Sequence, residues 1–190
     1  MPRAGLTTTR VVEEAEALAD EVGLAGVSLA AIAARLDVRV PSLYKHVNGL
    51  DALHSLIEAR AKAELGDAMA RSAVGVSSGA AVDALAGAYR AWARAHPGRY
   101  EATLAAPKAD DAASRAASER AVRVVFDALA GYGLSGDDAI DATRAFRSAL
   151  HGFVALEAAG GFGLPQDVDR SFAKLVGALK RSLGDWSALS

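Results

Sequence analysis

The chain has 190 residues, no cysteine and a formal net charge of −2 at pH 7. This length can hold one large domain, or a small domain with a larger one, without covalent staples. The absence of cysteine excludes disulfide scaffolds, thiolate metal sites and cysteine nucleophiles. The slightly negative charge argues against a protein that coats nucleic acid regardless of sequence.

The composition favours helices. Alanine, the best helix former, is abundant, and the alternating β-branched pattern of strands is absent. The longest run without a charged residue, residues 22–34, is much shorter than the roughly 20 apolar residues that span a membrane. The first ten residues lack the apolar segment of a secretory signal. We therefore predict an all-α, cytoplasmic protein that makes no contact with a membrane.

The first predicted helix follows the threonines at residues 7–9, whose hydroxyls can cap it, and ends at Gly23. Arg10 lies near its start, where it could reach a DNA phosphate or simply be solvated. The apolar stripe consists of Val11, Ala15, Leu18, Ala19 and Val22. We expect the acidic side chains of this segment to lie on an exposed face; they are Glu13, Glu14, Glu16, Asp20 and Glu21.

Two short apolar-periodic segments joined by a tight polar turn follow. Ser28 can cap the first segment, and Asp37 ends it, because Asp tolerates the left-handed backbone region that such a turn needs. The buried face of the first segment is Leu29, Ile32, Ala33 and Leu36, with spacing i, i+3, i+4 and i+7. The second segment buries Val40, Leu43 and Val47. This pattern predicts a helix-turn-helix.

The second segment leaves a polar face that points away from the packed side, formed by Arg39, Pro41, Ser42, Lys45 and His46. Basic side chains there can neutralise phosphates or reach base edges in the major groove. Between Arg35 and His46 the chain has three basic residues against one acid, a small positive charge that implies modest affinity or dimeric binding. Periodicity alone does not establish DNA binding, because many helical bundles contain two such helices.

The order S-L-x-x-I-A-x-x-L-x-V, followed by P-S-L-Y-K-H-V, resembles the N-terminal domain of the TetR family of transcriptional regulators. The resemblance implies a three-helix DNA-binding domain over residues 1–49. Within it, Tyr44 and His46 would contact phosphates. The residues facing the groove would be Arg39, Pro41, Ser42 and Lys45, and we add Ser28, at the start of the first helix of the motif, to the DNA-contact set. The chain departs from the family at Leu50, where a lysine is usual.

Residues 50–190 form the predicted second domain, which begins with a linking helix over residues 50–71 capped by Asn48. A Ser- and Gly-rich break follows at residues 72–79. Further helices are predicted over residues 80–96, around Tyr100, over residues 110–132, and from Ser135 to Gly160. The last helix carries a near-heptad apolar stripe between Val168 and Trp186.

This second part is similar to a TetR-type C-terminal domain with a Trp-x-x-x-His-Gly motif. His151-Gly152 match that motif, and Arg147 stands where the Trp would be. Ligand cavities between helices are mostly apolar with few polar groups. We predict that a small-molecule effector binds among Trp92, Tyr100, Phe126, Phe146, His151 and Phe162; ordinary core packing is the competing explanation for each aromatic.

The last two predicted helices have apolar stripes of the kind that helices offer to a partner helix, so we predict a homodimer through them. The competing explanation is that these stripes pack only inward. A two-fold dimer presents two recognition helices about 34 Å apart, which suits a palindromic operator on double-stranded DNA.

No catalytic pattern is present: there is no glycine-rich phosphate loop and no nucleophile elbow, and paired acids occur where helices begin. We expect no enzyme activity, metal or cofactor. The resemblance implies a sequence-specific transcriptional regulator, a repressor released from its operator by a small molecule. The alternative is a helical small-ligand carrier or interaction protein with a degenerate DNA-binding head, which the residue at Leu50 and the low local charge support.

Overall fold

The computed structural model describes residues 5–186, and within this range the chain is all α-helical, as predicted. A single turn of 3-10 helix, Leu24–Gly26, accompanies the α-helices. The α-helices in the described range are α1 Thr8–Val22, α2 Leu29–Arg35, α3 Val40–Leu43, α4 Leu50–Ser72, α5 Ser78–Ala95, α6 Pro97–Ala102, α7 Ala112–Ala130, α8 Gly136–Ala158 and α9 Val168–Gly184. None of these helices is both long and apolar enough to cross a membrane.

The chain divides into two compact units. Unit 1 contains the residues up to Glu64 together with His96–Ser118, and unit 2 contains Leu65–Ala95 together with the residues from Glu119 onward. Helices α4 and α7 therefore contribute residues to both units. The short helix α6 belongs to unit 1, although its sequence position lies well beyond the helix-turn-helix. The division into domains 1–49 and 50–190 remains a prediction.

Helix α1 begins and ends where the sequence predicts. Thr7 occupies the N-cap position, and its side-chain oxygen accepts a hydrogen bond from the Arg10 backbone N–H at 3.2 Å. Gly23 ends the helix with a φ of +81°, a conformation that glycine adopts without steric cost. The buried face of α1 contains Val11 and Ala15.

The other helices of unit 1 complete one core around α1. Helices α2 and α3 have seven and four residues, too few to be stable alone, so their positions depend on packing. Ile32 from α2 and Leu43 from α3 are fully buried. Helix α4 begins at Leu50, and the Gly49 carbonyl accepts its first backbone hydrogen bond, from Leu53 N–H. Gly49 thus takes the cap position, and the prediction that Asn48 caps this helix is wrong by one residue.

The acidic residues of α1 are mostly paired, and the expectation of a wholly exposed acidic face is wrong. Glu14 and Glu21 lie two helical turns apart and both bond Arg35 of α2. Glu16, only 4% exposed, bonds both the Nε and Nη2 groups of Arg60 on α4, at 2.8 and 3.1 Å. The acids of α1 therefore face different neighbours: Glu14 and Glu21, at i and i+7, face α2, and Glu16 faces α4.

Helix α6 is attached to the end of α1. A Cβ added at Gly98 would lie 1.9 Å from the Ala19 carbonyl oxygen, so the two backbones approach more closely than any other residue type allows. The Asp20 carboxylate accepts from both the backbone N–H and the side-chain Nε of Arg99, at 2.9 and 2.7 Å. Arg99 also bonds Glu64 of α4 at 2.8 Å. These contacts explain why α6 belongs to unit 1.

Lys62 of α4 holds the segment between α6 and α7. It is only 5% exposed, and its ammonium donates to Glu58 Oε1, the Ala105 carbonyl and Ser114 Oγ, at 2.5, 2.8 and 3.1 Å. Ser114 Oγ in turn donates to Glu58 Oε1 at 2.7 Å. The three donors of the ammonium are therefore all used, which is the condition for tolerating a buried charge.

Unit 2 is held mainly by apolar packing. Helices α5, α8 and α9 bury large apolar side chains, among them Leu85, Phe146, Leu150, Val154 and Phe172. The guanidinium of Arg90 on α5 is buried. It pairs with Glu157 of α8 at 2.5 Å and with Asp169 of α9 at 2.7 Å. These bonds raise the pKa of Arg90 and lower the pKa of Glu157.

Candidate nucleic-acid interface

The connection between α2 and α3 is a tight turn centred on Asp37. Its φ is +53°, one of two positive values at non-glycine residues in the described range. The Val38 N–H donates to the Ala33 carbonyl at 2.9 Å, which closes the end of α2. The prediction that Asp37 takes the left-handed conformation is confirmed, and the helix-turn-helix follows from it.

Ser28 occupies the N-cap position of α2. Its side-chain oxygen accepts a hydrogen bond from the Ala31 backbone N–H at 3.2 Å. The predicted cap is confirmed, and this bond fixes the start of the helix that precedes the turn. A contact between Ser28 and DNA remains a prediction.

The recognition helix α3 and the residues on either side of it expose the polar groups that the sequence assigns to the DNA. Pro41 lies in its first turn, where the missing N–H breaks no helical hydrogen bond. Arg39, Pro41, Tyr44 and Lys45 are exposed, while Ser42 and His46 are partly exposed. Tyr44 is 56% exposed, unusual for so large a ring, and this exposure leaves its hydroxyl accessible to a partner.

The turn after α3 is attached to the start of α1. The Thr8 hydroxyl donates to the His46 carbonyl at 3.1 Å, and the His46 N–H donates to the Leu43 carbonyl at 2.8 Å. Val47, immediately after, is buried. Thr8 therefore positions the turn that carries Lys45 and His46. Sequence reasoning missed this role, because nothing local distinguishes Thr8 from the threonines beside it.

The basic surface around the turn is smaller than the sequence indicates. Arg35 donates from Nη1 and Nη2 to Glu21 at 2.6 and 3.0 Å and from Nε to Glu14 at 2.5 Å. These bonds raise the pKa of Arg35 and lower the pKa of Glu21. The guanidinium is thus neutralised within unit 1, and Arg39 and Lys45 are left as the cations of the recognition helix.

The six residues predicted to bind an effector do not all belong to one unit. Tyr100 belongs to unit 1. The others belong to unit 2, where Trp92 and Phe146 are buried and Phe162 packs on Phe153 with ring centroids 4.7 Å apart. The remaining two, Phe126 and His151, are partly exposed. A cavity of about 450 Å³ in unit 2 opens beside Val74, Ser78 and Asp127, and none of the six residues lines it.

The second half of the chain matches a known family. The sequence model described as "Tetracyclin repressor-like, C-terminal domain" matches residues 82–179. The Bacillus subtilis protein YobS, named as an HTH-type transcriptional regulator, is 39% identical over 173 residues, which is 90% of each chain. The Mycobacterium tuberculosis protein Rv0681, with the same kind of name, is 38% identical over 174 residues, covering 91% of this chain and 79% of that protein.

A solved structure shares the fold over nearly the whole length. It is the TetR family protein ActR of Streptomyces coelicolor in complex with (S)-DNPA, which is 19% identical, with a TM-score of 0.69. The match covers 95% of this chain and 98% of that chain. The relatives named as transcriptional regulators match both halves of the sequence. The family model matches the second half as well.

Proposed function

Because the chain belongs to the TetR family of transcriptional regulators, we propose that it is a repressor that binds a palindromic operator and is released from it by a small molecule. The observation that carries this proposal is the exposed polar face of α3, fixed by the left-handed turn at Asp37. Such a face fits the major groove of double-stranded DNA. The protein would act by binding in the cytoplasm, without catalysis and without a cofactor.

We assign two kinds of DNA contact within this face. Arg39, Pro41, Ser42 and Lys45 lie at or near the start of the recognition helix and would face the bases. Tyr44 and His46 would contact phosphates, which set the register of the helix on the duplex without reading sequence. Ser28, at the positive end of α2, would add a phosphate contact.

A homodimer through α8 and α9 would supply the second recognition helix. Helix α8 leaves Ile140 and Leu156 exposed, at 40% and 52%. Burial of these side chains against a second copy of the chain would remove them from water. The oligomeric state in solution, measured by light scattering, tests this part of the proposal, and a monomer at micromolar concentration would overturn it.

The effector would bind within unit 2, among Trp92, Phe126, Phe146, His151 and Phe162; Tyr100, the sixth residue of the sequence prediction, belongs to unit 1. ActR, which shares the fold, was crystallised with (S)-DNPA, and this precedent supports a small organic effector here. Helix α4 directly follows the helix-turn-helix and, like α7, supplies residues to both units, so we propose it as the element through which effector binding would change the recognition helices. The effector needs only to bind better to the conformation that does not fit the operator, and the coupling is reciprocal.

The second candidate function is a helical small-ligand carrier whose DNA-binding head has lost affinity. Two observations favour it: Leu50 replaces the usual lysine, and Arg35 is neutralised by Glu14 and Glu21. Salt dependence distinguishes the repressor from the carrier. A protein that contacts DNA phosphates releases counterions, so its affinity for DNA falls steeply as the salt concentration rises.

The test is a titration of the purified protein against the DNA that flanks its own coding region, at two salt concentrations, with random duplex as competitor. Tight, salt-sensitive binding that resists the competitor would support the repressor. Selection of bound fragments from the whole genome would follow if the flanking DNA were not preferred. Failure to enrich any sequence in that selection would overturn the repressor in favour of the carrier.

The two kinds of contact make different predictions. Tyr44→Phe removes a hydroxyl from a phosphate contact, so we expect it to weaken binding to operator and random DNA by the same factor. Ser42→Ala removes a group that faces the bases, so we expect it to change which base pair is preferred at one position. Binding measured against a panel of single-base operator variants checks both. An equal effect of the two substitutions on sequence preference would contradict the assignment of roles.

A further inference from the structure

The basic side chains of unit 1 fall into two groups. The first group is paired with acidic side chains inside the unit and consists of Arg35, Arg60, Lys62 and Arg99. Apart from Arg115, whose side chain donates to the Ala109 carbonyl, the second group is exposed and forms no ion pair with any described residue; it consists of Arg10, Arg39, Lys45 and Lys108. Arg39 immediately precedes α3, and Lys45 lies in the turn after it. Of the remaining two, Arg10 has only the sequence-based choice between a phosphate contact and solvation, and Lys108 has no role in the contacts described above.

Arg10 lies beside the turn that precedes the recognition helix. It lines a hollow of about 790 Å³ in unit 1 together with Asp37 and Val38, the residues immediately before Arg39. The bond between Thr8 and the His46 carbonyl fixes the first turn of α1, from which the Arg10 side chain extends. An exposed guanidinium is therefore held next to the start of α3.

Lys108 lies beside the turn that follows the recognition helix. It lines a groove of about 650 Å³ in unit 1 together with Lys45 and His46. The segment that carries Lys108 is fixed at both ends, because Lys62 donates to the Ala105 carbonyl at 2.8 Å and the Asp111 N–H donates to the Lys108 carbonyl at 3.1 Å. Lys108 is thus presented by an ordered turn.

We propose that Arg10 and Lys108 bind DNA phosphates just outside the base pairs that α3 reads, one at each end of the recognition helix. This inference rests on the proposed function and extends it to two residues outside the helix-turn-helix. Each contact displaces condensed counterions from the duplex, so each adds affinity that does not depend on sequence. The two residues compensate for the lysine that is missing at Leu50.

Acidic side chains surround Lys108 in its groove, so DNA could approach the groove less easily without the positive charge of Lys108. Asp51, Asp110 and Asp111 line the same groove, so its formal charge is two cations minus three acids, or −1, with His46 neutral. Asp111 is engaged in capping α7, where one of its side-chain oxygens accepts from the Ser114 N–H at 2.9 Å. Without Lys108 the formal charge of the groove would be −2, and the groove would repel DNA more strongly. The charge of Lys108 therefore favours the approach of the phosphate backbone on this side.

The test measures the salt dependence of operator binding for Arg10→Ala and Lys108→Ala. We expect the slope of log affinity against log salt to become shallower by about 1 for each bound subunit in either variant, with sequence preference unchanged. Between 50 and 200 mM salt, one lost phosphate contact makes the fall in affinity smaller by about threefold. Lys108→Arg keeps the charge and should keep the slope. Arg123→Ala, at an exposed arginine in the part of α7 that belongs to unit 2, is the matched control and should leave the slope unchanged.

A second duplex, trimmed to the base pairs that α3 reads, lacks the flanking phosphates. On this duplex the wild-type protein and the two alanine variants should bind with the same slope. If the wild-type protein binds its operator with a steep slope and both variants retain that slope on the long duplex, the inference is overturned while the proposed function stands. If the wild-type protein shows no salt-dependent preference for any sequence, the proposed function is overturned as well.

Discussion

The two units of the chain are stabilised in different ways. In unit 1 the helices α2, α3 and α6 are short, with four to seven residues each. Acidic side chains of α1 join α2, α4 and α6 through Arg35, Arg60 and Arg99. In unit 2 the helices have 17 to 23 residues, and their apolar stripes supply most of the packing. Arg90 links α5 to α8 and α9 there, and Lys180 of α9 also pairs with Asp83 of α5.

The difference follows from the size of the elements. A helix of four or seven residues presents too few apolar side chains to fix its orientation, so the hydrogen-bonded ion pairs of Arg35 help to hold α2, the helix before α3, against α1. A long amphipathic helix buries enough apolar surface to need few such bonds. Charge in unit 1 therefore serves two purposes: the paired cations hold the unit together, and the unpaired cations are available to a nucleic acid.

Gly98→Ala should break this arrangement most severely. The added Cβ would lie 1.9 Å from the Ala19 carbonyl oxygen and 2.8 Å from the Asp20 nitrogen, and backbone atoms cannot move aside cheaply. We expect α6 to separate from α1 at a cost of about 3 kcal/mol, measured as a lower midpoint of denaturant unfolding. Gly87→Ala on α5 is the control, since its Cβ meets nothing within 4 Å, and it should be neutral or stabilising by up to about 1 kcal/mol. An unchanged midpoint for Gly98→Ala would contradict the close approach of α6.

Arg60→Ala should have the second largest effect, and the effect should depend on pH. Burial raises the pKa of Glu16 above its ordinary value of 4.5, and the bonds from Arg60 oppose this rise. An acid whose pKa is raised in the folded state stabilises the fold below the unfolded pKa, and this contribution is lost as pH increases through the folded pKa. The substitution raises the pKa of Glu16 further, so its cost should be small near pH 4.5 and grow towards pH 7.

The expected cost of Arg60→Ala at pH 7 is about 2 kcal/mol, less than for a fully buried pair because the Arg60 side chain is 39% exposed. Urea unfolding at several pH values measures it. In a Glu16→Gln background the cost should no longer vary with pH. Arg144→Ala removes an exposed pair with Asp141 in unit 2 and should cost less than about 0.5 kcal/mol at every pH. A cost of Arg60→Ala that is equal at pH 4.5 and pH 7 would show that Glu16 is not the group affected.

Local features of the fold were predictable from sequence. The caps at Thr7 and Ser28, the end of α1 at Gly23 and the left-handed turn at Asp37 each depend on residues within four positions of one another. The family was also predictable, because the motif around Tyr44 and His46 is compact and specific, and the prediction is confirmed by the relatives and the family model.

The partners of the charged residues were not predictable. Glu16 and Arg60 are 44 residues apart in sequence, and Asp20 and Arg99 are 79 apart, so no periodicity links them. Gly98 follows a proline and looks like a helix break, whereas its missing Cβ is what lets α6 approach α1. The DNA contacts of α3 and the six effector residues remain predictions, because they concern partners that only binding experiments can test.

The smallest expected changes in stability are those of Arg35→Ala and Arg39→Ala. This pair of substitutions separates cations that stabilise unit 1 from cations that are available to DNA. Arg35 and Arg39 are four residues apart, and sequence alone counts both toward the DNA-binding surface. Arg35 is neutralised by Glu14 and Glu21, so Arg35→Ala should slightly lower the unfolding midpoint and leave the salt slope of operator binding unchanged. Arg39→Ala should leave the midpoint unchanged, weaken operator binding and relax the preference for one base pair, because Arg39 is assigned to the bases. If Arg35→Ala reduced the slope, the pairs of Arg35 would have to open on DNA, and the paired cations would belong to the DNA-binding surface after all.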